Sequence, residues 1–200
     1  MTTSERFQRA IARIDEANAG DPERIRVRGH ERPKEQAHAE LATEWLHALC
    51  PEPGEALLLA ARAHHVRRWE TPRSSYPEGR TGYLRWRADQ QRFHARTTVD
   101  LLEDAGYDAV VIERVCHLIT KRGLGRDPEV QHLEDALCLV FLETQLEDFA
   151  QASPDKAPSV LARTVGKMSD AGRREAERLV LSADARTLLS EALSEARGAW

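Results

Sequence analysis

Nearly everywhere that apolar residues recur with a regular period in this chain of 200 residues, the period is that of a helix. Such a chain must bury its apolar stripes by packing helix on helix. Phe7, Ile11 and Ile14 give a first helix over 4–19 one apolar stripe, and the turn-forming run "NAGDP" ends it. "IRVRG" is the one strand candidate. Pro33 suits a first helical position, and the helix it opens runs to about Cys50. "PEPG" is a turn, "EALLLAARAHHV" a helix over 55–66, and the proline- and glycine-rich stretch 70–82 a loop. A long helix over 83–105, another over 108–121, a loop "RGLGRDP" and the strongly apolar helix "LEDALCLVFLETQLEDF" follow. Two or three amphipathic helices close the chain after "ASPDKAP". The expectation is an all-α fold in a single domain spanning 1–200. Its core lies at about 34–150, with the helix 4–19 and the C-terminal helices 155–198 packed on it.

Composition excludes several classes of protein. A content of 41% hydrophobic and 31% charged residues describes a globular chain rather than a disordered one, long enough to bury a core without disulfides. The net charge of -4 gives no support to bulk nucleic-acid binding and leaves room only for a local basic patch. Cys50, Cys116 and Cys138 are far apart with no CxxC, which reads as free thiols in a reducing cytoplasm. The first twenty residues lack the apolar core of a secretory signal, and no run is long enough to span a membrane. A cytoplasmic protein is expected.

Helical spacing sorts the polar residues by face. His38 lies with Leu41, Ala42, Trp45 and Leu49. His64 follows Leu57, Ala60 and Ala61, and His65 follows Leu58 and Ala61. His94 shares a face with Thr98, Leu101 and Ala105, and Asp135 with Leu139, Leu142 and Leu146. A lone inward histidine is more often a satisfied core residue than a ligand. Several of them with a carboxylate, on different helices, are what a metal site in a helical core requires. Imidazole with carboxylate suits zinc, manganese, nickel or iron. His117, with Glu113, Arg114 and Lys121 as helical neighbours, is expected at the surface in a pair with Glu113. His30, His47 and His132 are read as lying outside any site.

Directly after His65 comes "RRWETPRSSYPEGRTGYLRWR", with Arg67, Arg68, Arg73, Arg80, Arg85 and Arg87 interleaved with Trp69, Tyr76, Tyr83 and Trp86. Guanidinium forks match phosphate or carboxylate, and aromatic faces match planar groups. The plain reading is a loop pinned by Arg–Glu pairs and tryptophan packing. The functional reading is a clamp over a small anionic substrate such as a nucleotide, with Arg67, Arg68, Trp69, Arg73, Tyr76, Arg80 and Arg87 as the binding residues.

The order "HAELATEWLHAL", "EALLLAARAHHV", "FHARTTVDLLEDAGYDAVVIERVCHLI", "DPEVQHLEDALCLVF" is similar to the HD superfamily of metal-dependent phosphohydrolases, over roughly 34–145. That resemblance implies an HD-like helical bundle. In it His38 matches the first histidine, His64 the histidine of the paired motif, His94 the third histidine, and Asp135 the segment of the closing aspartate. The chain departs from the pattern in three places. His65 stands where the paired aspartate belongs, a further histidine would fall near Arg122, and the closing motif reads Glu134-Asp135-Ala136. Glu35, Glu70 or Glu134 would then supply the missing charge. A closer resemblance, over nearly the full length, is to a family catalogued only as domain of unknown function 4202, carried by "RPKE", "RRWETPRSSYP" and "GYLRWR". It implies no established activity and gives His65 more weight than His64.

The function expected is a metal-dependent hydrolase of a small phosphorylated or nucleotide-like anion. A divalent ion would be held by His65, His94, Asp135 and one of His38 or His64, with Glu70 or Glu35 as base or extra ligand. Arg68, Arg73 and Arg80 would neutralise the substrate. An iron-dependent oxygenase on the same scaffold, and a non-catalytic module binding an anion or an RNA end, are the rivals.

Overall fold

A computed structural model describes residues 5–198. Helix α1 (Glu5–Ala19) leads into an antiparallel hairpin of β1 (Arg24–Val27) and β2 (His30–Pro33). Arg28 and Gly29 form its two-residue turn, both at positive φ (49° and 86°), the backbone handedness that matches the twist of paired strands. The strand candidate "IRVRG" is therefore half of a hairpin. Pro33 closes β2 as the residue before α2 (Lys34–Leu49) instead of opening the helix.

Helix α3 (Glu55–Ala63) stops three residues short of the expected end, and the chain turns through His64–Arg67, with Arg67 in the left-handed region at φ 51°. Helix α4 (Gly79–Asp104) begins four residues early. Gly82 permits this: a Cβ there would lie 1.9 Å from the Pro77 carbonyl oxygen, so only glycine lets the preceding loop close against the helix start. Helix α5 (Ala109–Ile119) is capped by Asp108, whose carboxylate accepts from the Val111 N–H at 3.0 Å. Helix α6 (Pro128–Thr144) has proline in its first turn and Asp127 as its cap. The apolar run expected as one helix breaks at Gln145 and continues as α7 (Leu146–Ala152). Helices α8 (Ala157–Lys167), α9 (Asp170–Glu177) and α10 (Ala183–Gly198) complete the fold. The all-α class is as expected, and among the described residues no helix is long and apolar enough to cross a membrane.

Two apolar cores are present. The first joins α1 to α6 around Ile14, Leu46, Leu57, Leu59, Leu102, Leu118 and Leu133. The second joins α6 to α10 around Leu139, Leu142, Leu146, Leu161, Val165 and Leu189. Each fully buried leucine contributes about 1.5–3 kcal/mol. Ala10 and Ile14 on α1 are wholly buried in the first core. Helix α6 feeds both cores, with Leu133, Ala136 and Val140 in one and Cys138, Leu139 and Leu142 in the other. It also carries the buried carboxylates Glu134 and Asp135.

Candidate functional site

The first turn of α2, the turn after α3 and the middle of α4 meet in a buried polar cluster. Glu35 and His38 come from α2, His64, His65 and Arg68 from the turn, and His94 from α4. The α2 residues stand three apart, so both point to the same side. Glu35 is 5% exposed, and its Oε2 lies 3.2 Å from His65 Nδ1 and 3.8 Å from His38 Nδ1. Neither contact is aligned as a hydrogen bond, so Oε2 is a buried acceptor without a donor. Its other oxygen faces Arg68 Nε at 3.9 Å.

The hydrogen bonds fix the ring protons. Arg68 donates from Nη1 to His65 Nε2 at 2.8 Å. A guanidinium has no lone pair to offer, so Nε2 carries the lone pair and Nδ1 carries the proton that faces Glu35. His94 donates from Nδ1 to the Val66 carbonyl at 3.0 Å, which leaves its Nε2 lone pair buried and without a donor. Thr144 on α6 gives its hydroxyl proton to the Val140 carbonyl at 2.7 Å, so toward His38 Nε2, 3.2 Å away, it can only accept. A neutral His38 ring therefore turns its Nδ1 lone pair at the Glu35 carboxylate. Two acceptors face to face repel unless positive charge stands between them, either a proton on the ring or a bound cation. His64 donates from Nδ1 to the Ala61 carbonyl at 2.8 Å, and its ring lies 4.1 Å from that of His65.

Burial opposes ionisation of Glu35, but the pull of His65 and contacts with both histidines outweigh it and hold the carboxyl well below its usual range. Burial, with Arg68 and His64 alongside, keeps His65 well below the usual imidazole value. Burial likewise takes His64 down to about 3 and His94 to about 4. At neutral pH the site thus holds one carboxylate, one guanidinium and, in His64, His65 and His94, imidazoles that keep their lone pairs.

Polar residues from outside the cluster hold it in place. Asp21, itself buried, accepts from the Glu35 N–H at 2.9 Å and from the Glu23 N–H at 2.9 Å. Asn18 accepts from the N–H of left-handed Arg67 at 3.1 Å. Gln90, one turn before His94, donates to the Arg68 and Thr71 carbonyls at 3.1 and 3.0 Å, and Trp86 donates to Thr71 at 2.9 Å. Asn18, Asp21, Gln90 and Thr144 escaped the sequence reading. Asp21 lies in "NAGDP", which signals only a helix end. Gln90 alone left a trace, four residues before an inward histidine.

Several expected site residues lie elsewhere. Asp135 is a correction: its carboxylate accepts from Ser169 N–H (2.9 Å), from the Ser169 hydroxyl and from Gln131 Nε2 (2.9 Å), and it pins the start of α9 to α6. A Cβ on Gly172 would come within 2.7 Å of Asp135 Cγ, which shows how closely α9 sits on it. Glu70 is at the surface, 3.8 Å from Arg67, which is exposed too. Arg73 donates to the Tyr76 and Pro77 carbonyls at 2.9 and 2.8 Å, and Tyr76 donates to Asp89 at 3.0 Å, so both tie the loop to itself and to α4. Trp69 packs beside Gly20. Arg80 and Arg87 are exposed on α4. Of the arginines expected to clamp a substrate, only Arg68 reaches the cluster. His117 turns to Asp127 at 3.5 Å rather than to Glu113. Among the described residues, no group of three or more His, Cys, Asp or Glu side chains is placed so that it could hold a metal ion as it stands.

The fold and the cluster define an all-α protein with a buried carboxylate, histidines and a guanidinium at the meeting of three chain segments. Residues 8–189 match the family described as domain of unknown function DUF4202, and the chain belongs to that family. No curated protein and no solved structure matches it.

Proposed function

We propose that the chain is a metal-dependent hydrolase of a small phosphorylated anion, working in the cluster of Glu35, His38, His65 and His94 beside Arg68. The observation that supports this is that one polar cluster keeps two buried acceptors without donors, Glu35 Oε2 and His94 Nε2, with the His38 Nδ1 lone pair turned toward the first of them. An unmet buried acceptor costs about 1–3 kcal/mol, a cost that a bound ion or water at the cluster would offset. Carboxylate oxygen with imidazole nitrogen fits zinc, manganese, nickel or iron. When bound, such an ion polarises a phosphoryl oxygen and lowers the pKa of bound water. The reading keeps the inward histidines of the HD-like pattern and replaces its aspartates by Glu35.

The chain's own residues have defined parts. Glu35 holds negative charge in a closed space, 3.2 Å from His65 Nδ1. Arg68, turned inward, offers a fork to a phosphate. In doing so it leaves His65 Nε2, whose freed lone pair can take a proton from attacking water. Loss of that neighbouring cation also raises the basicity of His65, so the base strengthens as the substrate arrives. The three free thiols suit a reducing cytoplasm as the setting.

The test is metal analysis of the purified chain together with phosphate release from p-nitrophenyl phosphate. A divalent ion should copurify or bind on addition, release should stop in chelator and return with metal, and Glu35→Gln should lose both. Protein that takes up none of zinc, manganese, nickel or iron, with a melting curve indifferent to all four and to chelator, would sink the reading.

A further inference from the structure

Helix α4 presents two stripes. Gly82, Trp86, Gln90, His94 and Thr98, four residues apart, face inward, all of them buried except the half-buried Trp86. Arg80, Tyr83, Leu84 and Arg87, at i, i+3, i+4 and i+7, make an outer stripe that is exposed throughout. Tyr83 is 44% and Leu84 51% exposed, and they are the adjacent pair among the large apolar side chains that face solvent. Arg80, Arg85 and Arg87 have no carboxylate partner among the described residues, although the chain as a whole is acidic.

The two stripes are joined by a ladder of alternating cations and rings. Arg68 Cζ lies 5.0 Å from the Trp86 ring, Trp86 is 6.0 Å from Tyr83 at 38°, and Arg87 Cζ lies 5.8 Å from the Tyr83 ring. The inner end is the guanidinium that contacts His65. The outer end is an exposed ring flanked by unpaired arginines. A ligand anchored by its phosphate on Arg68 would extend along this ladder, and what the ladder can recognise is a π-face, since stacking on tyrosine and on guanidinium planes rewards flat rings and does nothing for a sugar or an aliphatic chain.

Resting on the reading of the cluster as a phosphate site, we propose that its substrate is a nucleotide, with the phosphate at Arg68 and the base stacked on Tyr83 between Arg80 and Arg87, so that Tyr83 selects for the base. The same chemistry is offered by a free mononucleotide and by the terminal nucleotide of a single strand.

Calorimetric titration of the full chain tests this with inorganic phosphate, ribose 5-phosphate, AMP and a 5′-phosphorylated trinucleotide. AMP should bind about tenfold more tightly than ribose 5-phosphate, the gain typical of one base stacked on one ring. Tyr83→Leu should erase that margin while leaving the affinity for phosphate unchanged, and Tyr83→Phe should keep it. A trinucleotide that binds more tightly than AMP, with a steeper salt dependence, identifies a strand end as the source, and equal affinities identify the free nucleotide. If ribose 5-phosphate and AMP bind alike, or if Tyr83→Leu keeps the margin, the inference is overturned and the phosphate site stands. If no phosphate-bearing probe binds at all, the phosphate site falls first and takes the inference with it.

Discussion

Two buried carboxylate regions, one on α2 and one on α6, look equivalent by burial and differ in what neutralises their charge. On α6, Asp135 is wholly buried and satisfied by Ser169 and Gln131, and Glu134, whose Oε2 also lacks an aligned donor, is neutralised by Lys121 and by Lys167 at 3.4 Å. On α2, Glu35 is as deeply placed, yet one of its oxygens has only misaligned histidines for company. The α6 pair closes the second core and locks α9 onto it. The α2 carboxylate closes nothing, and its own N–H is held by Asp21 so that it stays where it is. Burial of a charge is thus no mark of function by itself. The mark is a carboxylate with neither an aligned donor nor a lysine beside it, set among histidines at a place the surrounding backbone has been arranged to hold.

The comparison can be broken most severely at Asp135. Asp135→Ala strands the Ser169 N–H, the Ser169 hydroxyl and the Gln131 amide, and should lower stability by about 3 kcal/mol in urea denaturation. It should leave metal uptake by the α2 cluster intact. Loss of metal uptake in folded Asp135→Ala would return that residue to the site.

Next in size is Arg68. Arg68→Met keeps much of the packing on Trp86 but removes the donor to His65 Nε2, and anion affinity should fall by about tenfold or more with little change in the melting curve. Smaller still is the pair of Arg114 and Asp127 at the start of α6. Hydrogen bonds from Arg114, joined by backbone donors, hold Asp127 down at about 2. A carboxyl depressed in the folded state stabilises the fold above its unfolded value near 4. The gain is lost as pH falls through about 2, so Asp127→Asn should remove about 1 kcal/mol at neutral pH and flatten the acid limb of the stability profile. The smallest effect concerns reactivity. Burial pushes the Cys138 thiol up to about 12, so at pH 8 an alkylating agent should modify half-buried Cys50 and leave Cys138 untouched until the second core opens.

Much of the fold was legible because amphipathic period is a local property. The stripes of α1, α5 and α6 can be read residue by residue, and so can the inward turn of His38 and His94. The same logic misled at Asp135. Its period says that it faces inward, and it does, but into the second core, where Ser169, thirty-four residues on in sequence, satisfies it. Which of two cores an inward residue meets is a tertiary fact with no local trace. Glu35 shows the reverse. At the helix start it read as one of two carboxylates, with Glu70, that could act as base or extra ligand, and its place against His65 depends on a turn at Arg67 that Asn18 holds from another helix. The basic loop divided along the same line: Arg73 and Tyr76 found partners nearby, and Arg68 alone was turned inward, stacked on Trp86 and strapped through its carbonyl to Gln90.

The most direct measurement sets Glu35→Gln beside Asp135→Asn, with urea midpoint and bound divalent metal read on the same samples. Glu35→Gln should keep the midpoint within about 1 kcal/mol of the parent, since its carboxylate makes no aligned hydrogen bond to lose, and should lose the metal. Asp135→Asn should lower the midpoint and keep the metal. A Glu35→Gln protein that unfolds early yet binds metal as the parent does would contradict the account, because Glu35 would then be the structural carboxylate.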